Sequence, residues 1–111
     1  MSASLDQYDE VFAALADPSR RAVLEQLALD GEGTATTVAE HLPISRQAVV
    51  KHLARLDRAQ LVESRRRGRE VLYTVQPDRL AATARGIEAI ASSWDRTLAE
   101  LKRIAEESEG D

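Results

Sequence analysis

Apolar residues near the end of the chain recur at alternating spacings of four and three. The series is Leu80, Ala84, Ile87, Ala91, Trp94, Leu98, Leu101 and Ala105. This heptad spacing, sustained over more than three repeats, places the eight side chains along one side of an α-helix. The helix is expected over residues 79–106, and the shorter elements before it are too small to cover such a face. The pattern therefore predicts that part of the face packs against a second copy of the chain.

Two shorter amphipathic helices are predicted before residue 30. The first covers about residues 5–15, and the second covers about residues 18–29. Asp17 is placed to cap the second helix, and proline at the next position suits a first turn in which no amide is needed. Arg20 and Arg21 follow in that turn, where the helix dipole disfavours cations. They indicate either a bound partner or a solvated pair.

A tight pair of helices follows, over about residues 35–42 and 46–58. Thr34 is the preferred cap of the first helix, although Thr37 also has capping-box spacing, and Pro43 ends that helix. The second helix begins after Ser45, buries the seam Val49, Leu53 and Leu56, and turns Gln47, Lys51 and Arg58 outward. This arrangement predicts a helix-turn-helix.

A β-hairpin is predicted over residues 61–75, because β-branched and aromatic residues flank Gly68. Four arginines lie within five positions at its tip: Arg65, Arg66, Arg67 and Arg69. Such a cluster repels itself in isolation, which favours neutralisation by a phosphate backbone; the alternative is a solvated charged turn. A basic hairpin directly after a helix-turn-helix predicts a winged helix that docks on a duplex.

Charge is unevenly distributed along the 111 residues. The whole chain carries −4, but residues 46–69 hold eight basic and two acidic side chains, so this segment carries +6 and the rest −10. A basic stripe on an acidic body is typical of a protein that docks one face on a polyanion. The composition, 43% apolar and 31% charged, predicts one soluble domain over residues 1–111. No export signal or membrane span is evident, so a cytoplasmic location is expected.

Three segments in this order resemble the ArsR/SmtB family of dimeric winged-helix transcriptional repressors. They are Ala14–Leu24, Leu42–Leu53 and Ala59–Val62, the last just before the Gly-Arg hairpin. The resemblance implies a mostly α fold with one small β-hairpin and a homodimer formed through the first and last helices. It also implies binding of double-stranded DNA at an inverted-repeat operator, with repression relieved by an inducer.

The resemblance also assigns roles to residues. The expected base-contacting residues are Arg46, Gln47, Val50 and Lys51. The expected contacts to the DNA backbone are Ser45, His52, Arg55, Arg65, Arg66, Arg67 and Arg69. The expected dimer contacts are Tyr8, Phe12, Ile87, Ile90, Trp94, Leu98 and Leu101. Relatives often have serine in the slot of Val50, so an apolar contact such as a thymine methyl is expected there.

The usual metal sensors of the family have no counterpart here. Metal-sensing relatives carry a cysteine pair in the helix that contains residues 37–41 or, for a second site between subunits, histidines in the last helix. This chain has no cysteine, and its two histidines, His41 and His52, both lie outside the last helix. We therefore expect no metal site of either usual type and no cofactor, and the inducer is unidentified. An enzyme is disfavoured, because no nucleophile and base, phosphate loop or buried carboxylate pair is evident. The remaining alternative is a protein-interaction module that uses its basic face on an acidic partner.

Overall fold

The computed structural model describes residues 4–109. The elements in chain order are α1 (Asp9–Leu15), α2 (Pro18–Asp30), α3 (Ala35–Ala39), α4 (Arg46–Arg58), β1 (Val62–Arg67), β2 (Glu70–Val75) and α5 (Pro77–Glu109). A 3-10 turn over Asp6–Tyr8 precedes α1. The predicted fold class, mostly α with one antiparallel hairpin, is confirmed. The first three and last two residues lie outside the described range.

The helix expected over residues 35–42 ends at residue 39. After Glu40, the amides of His41 and Leu42 donate to the carbonyls of Val38 and Ala39, three positions back, at 3.1 and 3.4 Å. These i→i−3 bonds tighten the chain into a turn before Pro43 and shorten the helix. Thr34 caps it as expected, since its Oγ1 accepts from the amide of Thr37 at 3.1 Å.

The junction between α1 and α2 explains the paired arginines. Asp17 Oδ1 accepts from the amides of Ser19 and Arg20 at 2.8 and 3.1 Å and so caps α2. Arg20 Nη1 donates to the carbonyls of Ala13 and Ala14 at 3.2 and 3.1 Å. Arg21 donates to the carbonyl of Leu15. Both arginines therefore satisfy carbonyls at the end of α1, where a helix lacks internal partners.

The core lies where α1, α2, α3 and α4 meet beneath the hairpin. Its largest fully buried side chains are Val11, Val23, Leu27, Val38, Val49, Leu53, Leu56 and Leu61. The predicted seam of α4 is thus fully buried. Burial of this seam fixes the rotation of α4 about its axis, which leaves the opposite face of the helix toward solvent.

The hairpin is attached to the body through Gly33. Val62 pairs with Val75 and Arg67 with Glu70 at the two ends of the hairpin register. The amide of Gly33 donates to the carbonyl of Tyr73 at 3.0 Å, and the amide of Tyr73 donates to the carbonyl of Gly33 at 2.8 Å. Gly33 is buried, and a Cβ there would lie 3.1 Å from Thr37 Oγ1. The wing is therefore held by backbone hydrogen bonds at a tightly packed position.

α5 runs without a break from residue 77 to residue 109, longer than the expected 79–106. Its first part packs on the body, and all side chains from residue 91 to residue 108 are exposed. Trp94 is 61% exposed and Leu98 is 58% exposed. Along residues 4–109, no helix is both long enough and apolar enough to cross a membrane.

Candidate nucleic-acid interface

The start of α4 forms an exposed surface of mixed chemistry. Ser45 caps the helix, because its Oγ accepts from the amide of Ala48 at 3.1 Å. The four residues expected to contact bases together line one shallow depression: Arg46, Gln47, Val50 and Lys51. The structure therefore brings these four residues onto a single surface, which we call the helix face. Guanidinium, amide and ammonium donors beside an apolar side chain match the groups that base edges offer in a major groove.

A hydrogen bond from α4 to α3 orients one member of the helix face. Arg46 Nε donates to Oγ1 of Thr36 at 3.0 Å. A guanidinium carries five N–H donors, so this bond leaves the remaining donors for a ligand. No sequence pattern marks Thr36, because its contact with Arg46 depends on how α3 crosses α4.

A cleft of about 300 Å³ connects the helix face to the wing. Arg46 and Val50 line it from α4, and Arg69, Val71 and Tyr73 line it from the hairpin. Burial of the tyrosine side chain, followed by the charge of Asp57, raises the pKa of the Tyr73 hydroxyl above its ordinary value. The helix face and the wing therefore form one continuous surface.

The wing arginines fall into two groups. Arg65 Nη2 lies 3.2 Å from Glu32 Oε2, and Arg67 lies 4.0 Å from Glu32 and 3.6 Å from Glu70. Arg66 and Arg69 form no ion pair with any carboxylate in residues 4–109. Carboxylates of the same chain therefore lie beside Arg65 and Arg67 and balance part of their charge without an external anion.

Comparison with known proteins identifies the fold and its class. Residues 15–65 match a helix-turn-helix domain model. The HTH-type transcriptional regulator Rv2034 of Mycobacterium tuberculosis is 38% identical over 103 residues, which are 93% of this chain and 92% of that protein. An ArsR-like transcriptional regulator from Rhodococcus sp. RHA1 superposes with a TM-score of 0.82 at 44% identity, covering 88% of this chain and 92% of the other.

The chain belongs to the ArsR family of helix-turn-helix transcriptional regulators. A more distant structure, from Mycobacterium bovis, is described as a homodimeric winged helix-turn-helix DNA-binding domain. It shares 29% identity and a TM-score of 0.63, and the match covers 79% of this chain and 81% of that one. The resemblance seen in the sequence is therefore confirmed, and the chain is a DNA-binding transcriptional regulator.

Two residues expected at the DNA backbone, His52 and Arg55, do not line the depression of the helix face in this ArsR-family protein. His52 and Arg55 are half-buried in the second half of α4. Both side chains are therefore only partly available to a ligand.

The residues expected at a dimer interface divide between two environments. Ile87, Trp94, Leu98 and Leu101 are exposed on α5, and so is Ile104, which was not among the expected contacts. Tyr8, Phe12 and Ile90 are instead half-buried. Tyr8 packs within its own chain, against α5 at Gly86. Arg79 lies over the Tyr8 ring, 5.8 Å from its centroid, so this side chain joins the start of the chain to α5.

The described residues contain no group of three His, Cys, Asp or Glu side chains that could hold a metal ion. The residues that sequence reasoning missed are Thr36 and Glu32. Both contact arginines that are distant in the chain, by 10 and 33 positions. No local pattern marks such pairs before the fold is known.

Proposed function

We propose that this ArsR-family regulator is a homodimeric repressor that binds an operator with inverted-repeat symmetry. The single observation that carries the proposal is the helix face, in which Arg46, Gln47, Val50 and Lys51 lie together at the exposed start of α4. In this proposal α4 is the recognition helix and enters the major groove by its N-terminal half. The burial of the α4 seam supports this orientation, since it turns the helix face away from the core.

Each residue of the helix face has a distinct chemical role. Arg46 and Lys51 donate to guanine O6 and N7 or to phosphate, and Gln47 pairs with an adenine edge. Val50 is 43% exposed and offers an apolar contact to a thymine methyl. Polar donors and an apolar group on one surface give sequence preference, whereas charge alone gives affinity without preference.

The wing follows the DNA backbone beside α4. Arg66 and Arg69 are the stronger candidates for phosphate contacts, because Arg65 and Arg67 already have carboxylate neighbours. Ser45 at the helix start, with His52 and Arg55 at the edge of α4, completes the proposed set of backbone contacts. Salt should weaken this part of the interaction strongly, since each phosphate contact releases counterions.

A second copy of the chain is proposed to cover the exposed apolar face of α5. Trp94, Leu98 and Leu101 are each more than half exposed, and large apolar side chains in such a row mark an interaction surface. The homodimeric M. bovis relative supports this choice of partner. Two-fold symmetry repeats the recognition helix, so the half-sites should lie about one helical turn, roughly 34–36 Å, or a multiple of it apart.

Control of transcription is proposed to arise from occlusion, because a duplex-bound dimer blocks other proteins from the same DNA. The protein is proposed to have no enzymatic activity, to need no cofactor, and to respond, if to any inducer, by a route other than the cysteine and histidine metal sites of the family. Its place of action would be the cytoplasm, which holds the DNA in bacteria such as those of the matched relatives.

Selection of bound sequences from random duplexes tests the proposal. The selected sites should show two-fold symmetry with the stated spacing. Gln47→Ala should weaken binding to the selected site by roughly 1 to 3 kcal/mol and leave random DNA unaffected. Gln7→Ala, an exposed glutamine outside the helix face, is the matched control. Asymmetric sites, or affinity no better than about 0.1 mM to 1 μM, would contradict the proposal and favour a protein-interaction module.

A further inference from the structure

Glu32 lies in the turn between α2 and α3 and approaches two arginines of the wing. Its Oε2 accepts from Arg65 Nη2 at 3.2 Å, and its Oε1 lies 4.0 Å from Arg67 Nη1. Arg65 and Arg67 are two positions apart on β1, so they project from the same face of the hairpin. One carboxylate therefore contacts both arginines of that face.

Further acidic groups surround the same place. Asp30, Glu32 and Glu70 line a cleft together with Arg67, and Glu70 lies 3.6 Å from Arg67 Nη2. Arg65 and Arg67 remain 64% and 61% exposed, so solvent, ions or a polyanion can reach them. A phosphate that approaches this face must compete with carboxylates that are already paired with the arginines. The negative charge of those carboxylates also repels it.

The contact with Glu32 is not needed to place the wing. The hairpin register and the two backbone bonds between Gly33 and Tyr73 already fix the wing to the body. Ion pairs between exposed side chains are weak by comparison and are screened by salt. The main consequence of the Glu32 contacts is therefore electrostatic: they occupy Arg65 and Arg67 and oppose an incoming anion.

We propose that Glu32 competes with DNA phosphates for Arg65 and Arg67 and thereby lowers the affinity of the protein for every duplex. The inference rests on the proposed function, because it concerns the same DNA-binding surface. Its value to a repressor is that non-specific binding depends most on phosphate contacts, so a weakened wing leaves a larger share of the binding to the helix face. Glu32 is thus a residue that limits the phosphate-dependent part of binding, on operator and non-operator DNA alike.

The test compares the wild-type chain with two variants on a random-sequence duplex and on the selected operator over a range of salt. Glu32→Gln removes the charge and should tighten binding to both duplexes about three- to tenfold at low salt, as expected for two exposed ion pairs. It should also steepen the dependence of log affinity on log salt by about one to two units per subunit. Glu63→Gln is the matched control, since this exposed glutamate of β1 bonds Gln76 at 2.6 Å and forms no ion pair with a described arginine.

Two further proteins isolate the mechanism, the double variant Arg65→Ala/Arg67→Ala and the same chain with Glu32→Gln added. In a chain that carries Arg65→Ala and Arg67→Ala, the change Glu32→Gln should no longer tighten binding. Equal gains from Glu32→Gln and Glu63→Gln would overturn the inference, because they would reflect net charge alone. Weaker binding by Glu32→Gln would also overturn it and would make Glu32 a residue that positions the wing. If the wild-type protein binds no duplex, the proposed function fails and the inference fails with it. If the wild-type protein binds DNA and Glu32→Gln leaves that binding unchanged, only the inference fails.

Discussion

Arg46, the first residue of α4, is held by Thr36, the second residue of α3, through a 3.0 Å hydrogen bond from Nε to Oγ1. The bond joins the two helices of the helix-turn-helix on the side that faces the proposed ligand. It restricts a long side chain that would otherwise sample many rotamers in solvent, and ordering such a chain costs free energy on binding. The Arg46 side chain is thereby partly preorganised for DNA binding.

Thr36→Val should therefore weaken operator binding without a direct contact to DNA. Removal of the acceptor frees Arg46, and we expect operator binding to weaken by about 0.5 to 1.5 kcal/mol, the usual value of one hydrogen bond. Fluorescence anisotropy with the selected operator and a random duplex measures the effect. Thr36→Ser keeps the hydroxyl and is the matched control. A similar weakening in a protein that also carries Arg46→Ala would show that Thr36 acts through some other residue.

The two groups of wing arginines should differ in their salt dependence. Arg69→Ala removes a guanidinium with no carboxylate partner among the described residues, so it should flatten the slope of log affinity against log salt by about 0.9 for each phosphate that this arginine neutralises. Arg67→Ala should change the slope less, because Glu32 and Glu70 already lie beside that arginine. Titrations on a random duplex at several salt concentrations provide the comparison. Equal slopes for the two variants would argue that the ion pairs have no effect on binding.

Gly86 and Tyr8 should be energetically coupled. A Cβ at Gly86 would lie 2.7 Å from Tyr8 Cε2, so Gly86→Ala must displace the ring. We expect the free energy of unfolding to fall by about 1 kcal/mol, since overpacking of about 1 to 3 kcal/mol outweighs a gain of about 1 kcal/mol in helix propensity. In a Tyr8→Ala protein the same change should stabilise by about 1 kcal/mol. Urea unfolding at one fixed protein concentration measures both, and additive effects would contradict the coupling.

The exposed apolar face of α5 should determine the oligomeric state. Trp94→Glu places a charge in the proposed interface and should shift the protein from dimer to monomer at micromolar concentration in sedimentation experiments. Ser92→Glu adds the same charge on the opposite side of the helix, about 160° away at roughly 100° per residue, and should leave the dimer intact. A wild-type monomer that is folded under these conditions would refute the interface.

The Asp17 cap of α2 should make the free energy of unfolding decrease at acid pH. The pKa of Asp17 lies below its ordinary value of 3.8, mainly because its carboxylate accepts a bond from the amide of Arg20. Because the pKa of Asp17 is lower in the folded than in the unfolded state, the ionised carboxylate stabilises the folded protein at pH values above the unfolded-state pKa. This stabilisation is lost as the pH falls through the folded-state pKa. Asp17→Asn keeps a capping oxygen without the charge. The stability difference between wild type and variant should be constant near neutral pH and shrink below about pH 3.8 in thermal unfolding, and a pH-independent difference would contradict this.

Much of the fold followed from local patterns. The spacing of Val49, Leu53 and Leu56 predicted which side of α4 is buried, and burial of the seam leaves the helix face exposed. Gly68, with φ of 63°, marks the hairpin turn, a conformation that favours glycine. These features depend on residues close together in the chain, so periodicity and turn chemistry are sufficient to find them.

The roles of several charged and aromatic residues did not follow from such patterns. Arg20 and Arg21 satisfy carbonyls at the end of α1, and Tyr8 packs on α5 rather than only facing a partner. The third helix also stops early, where the bonding changes to i→i−3 before Pro43. Each of these features depends on which side chains and backbone groups come into contact when the helices pack. The spacing of residues in the sequence does not specify those contacts.

The sequence by itself determined the helix-turn-helix, the hairpin and the heptad face of α5, because hydrophobic periodicity and capping act over one or two turns. The resemblance to the family added the candidate residues on α4. Only the tertiary structure decided which of those residues are held by others. Thr36 orients Arg46, and Glu32 occupies Arg65 and Arg67, through contacts across 10 and 33 positions. The physical reason is that a side-chain hydrogen bond or ion pair needs its two groups within about 3 to 4 Å, a distance set by the packing of the helices and the wing.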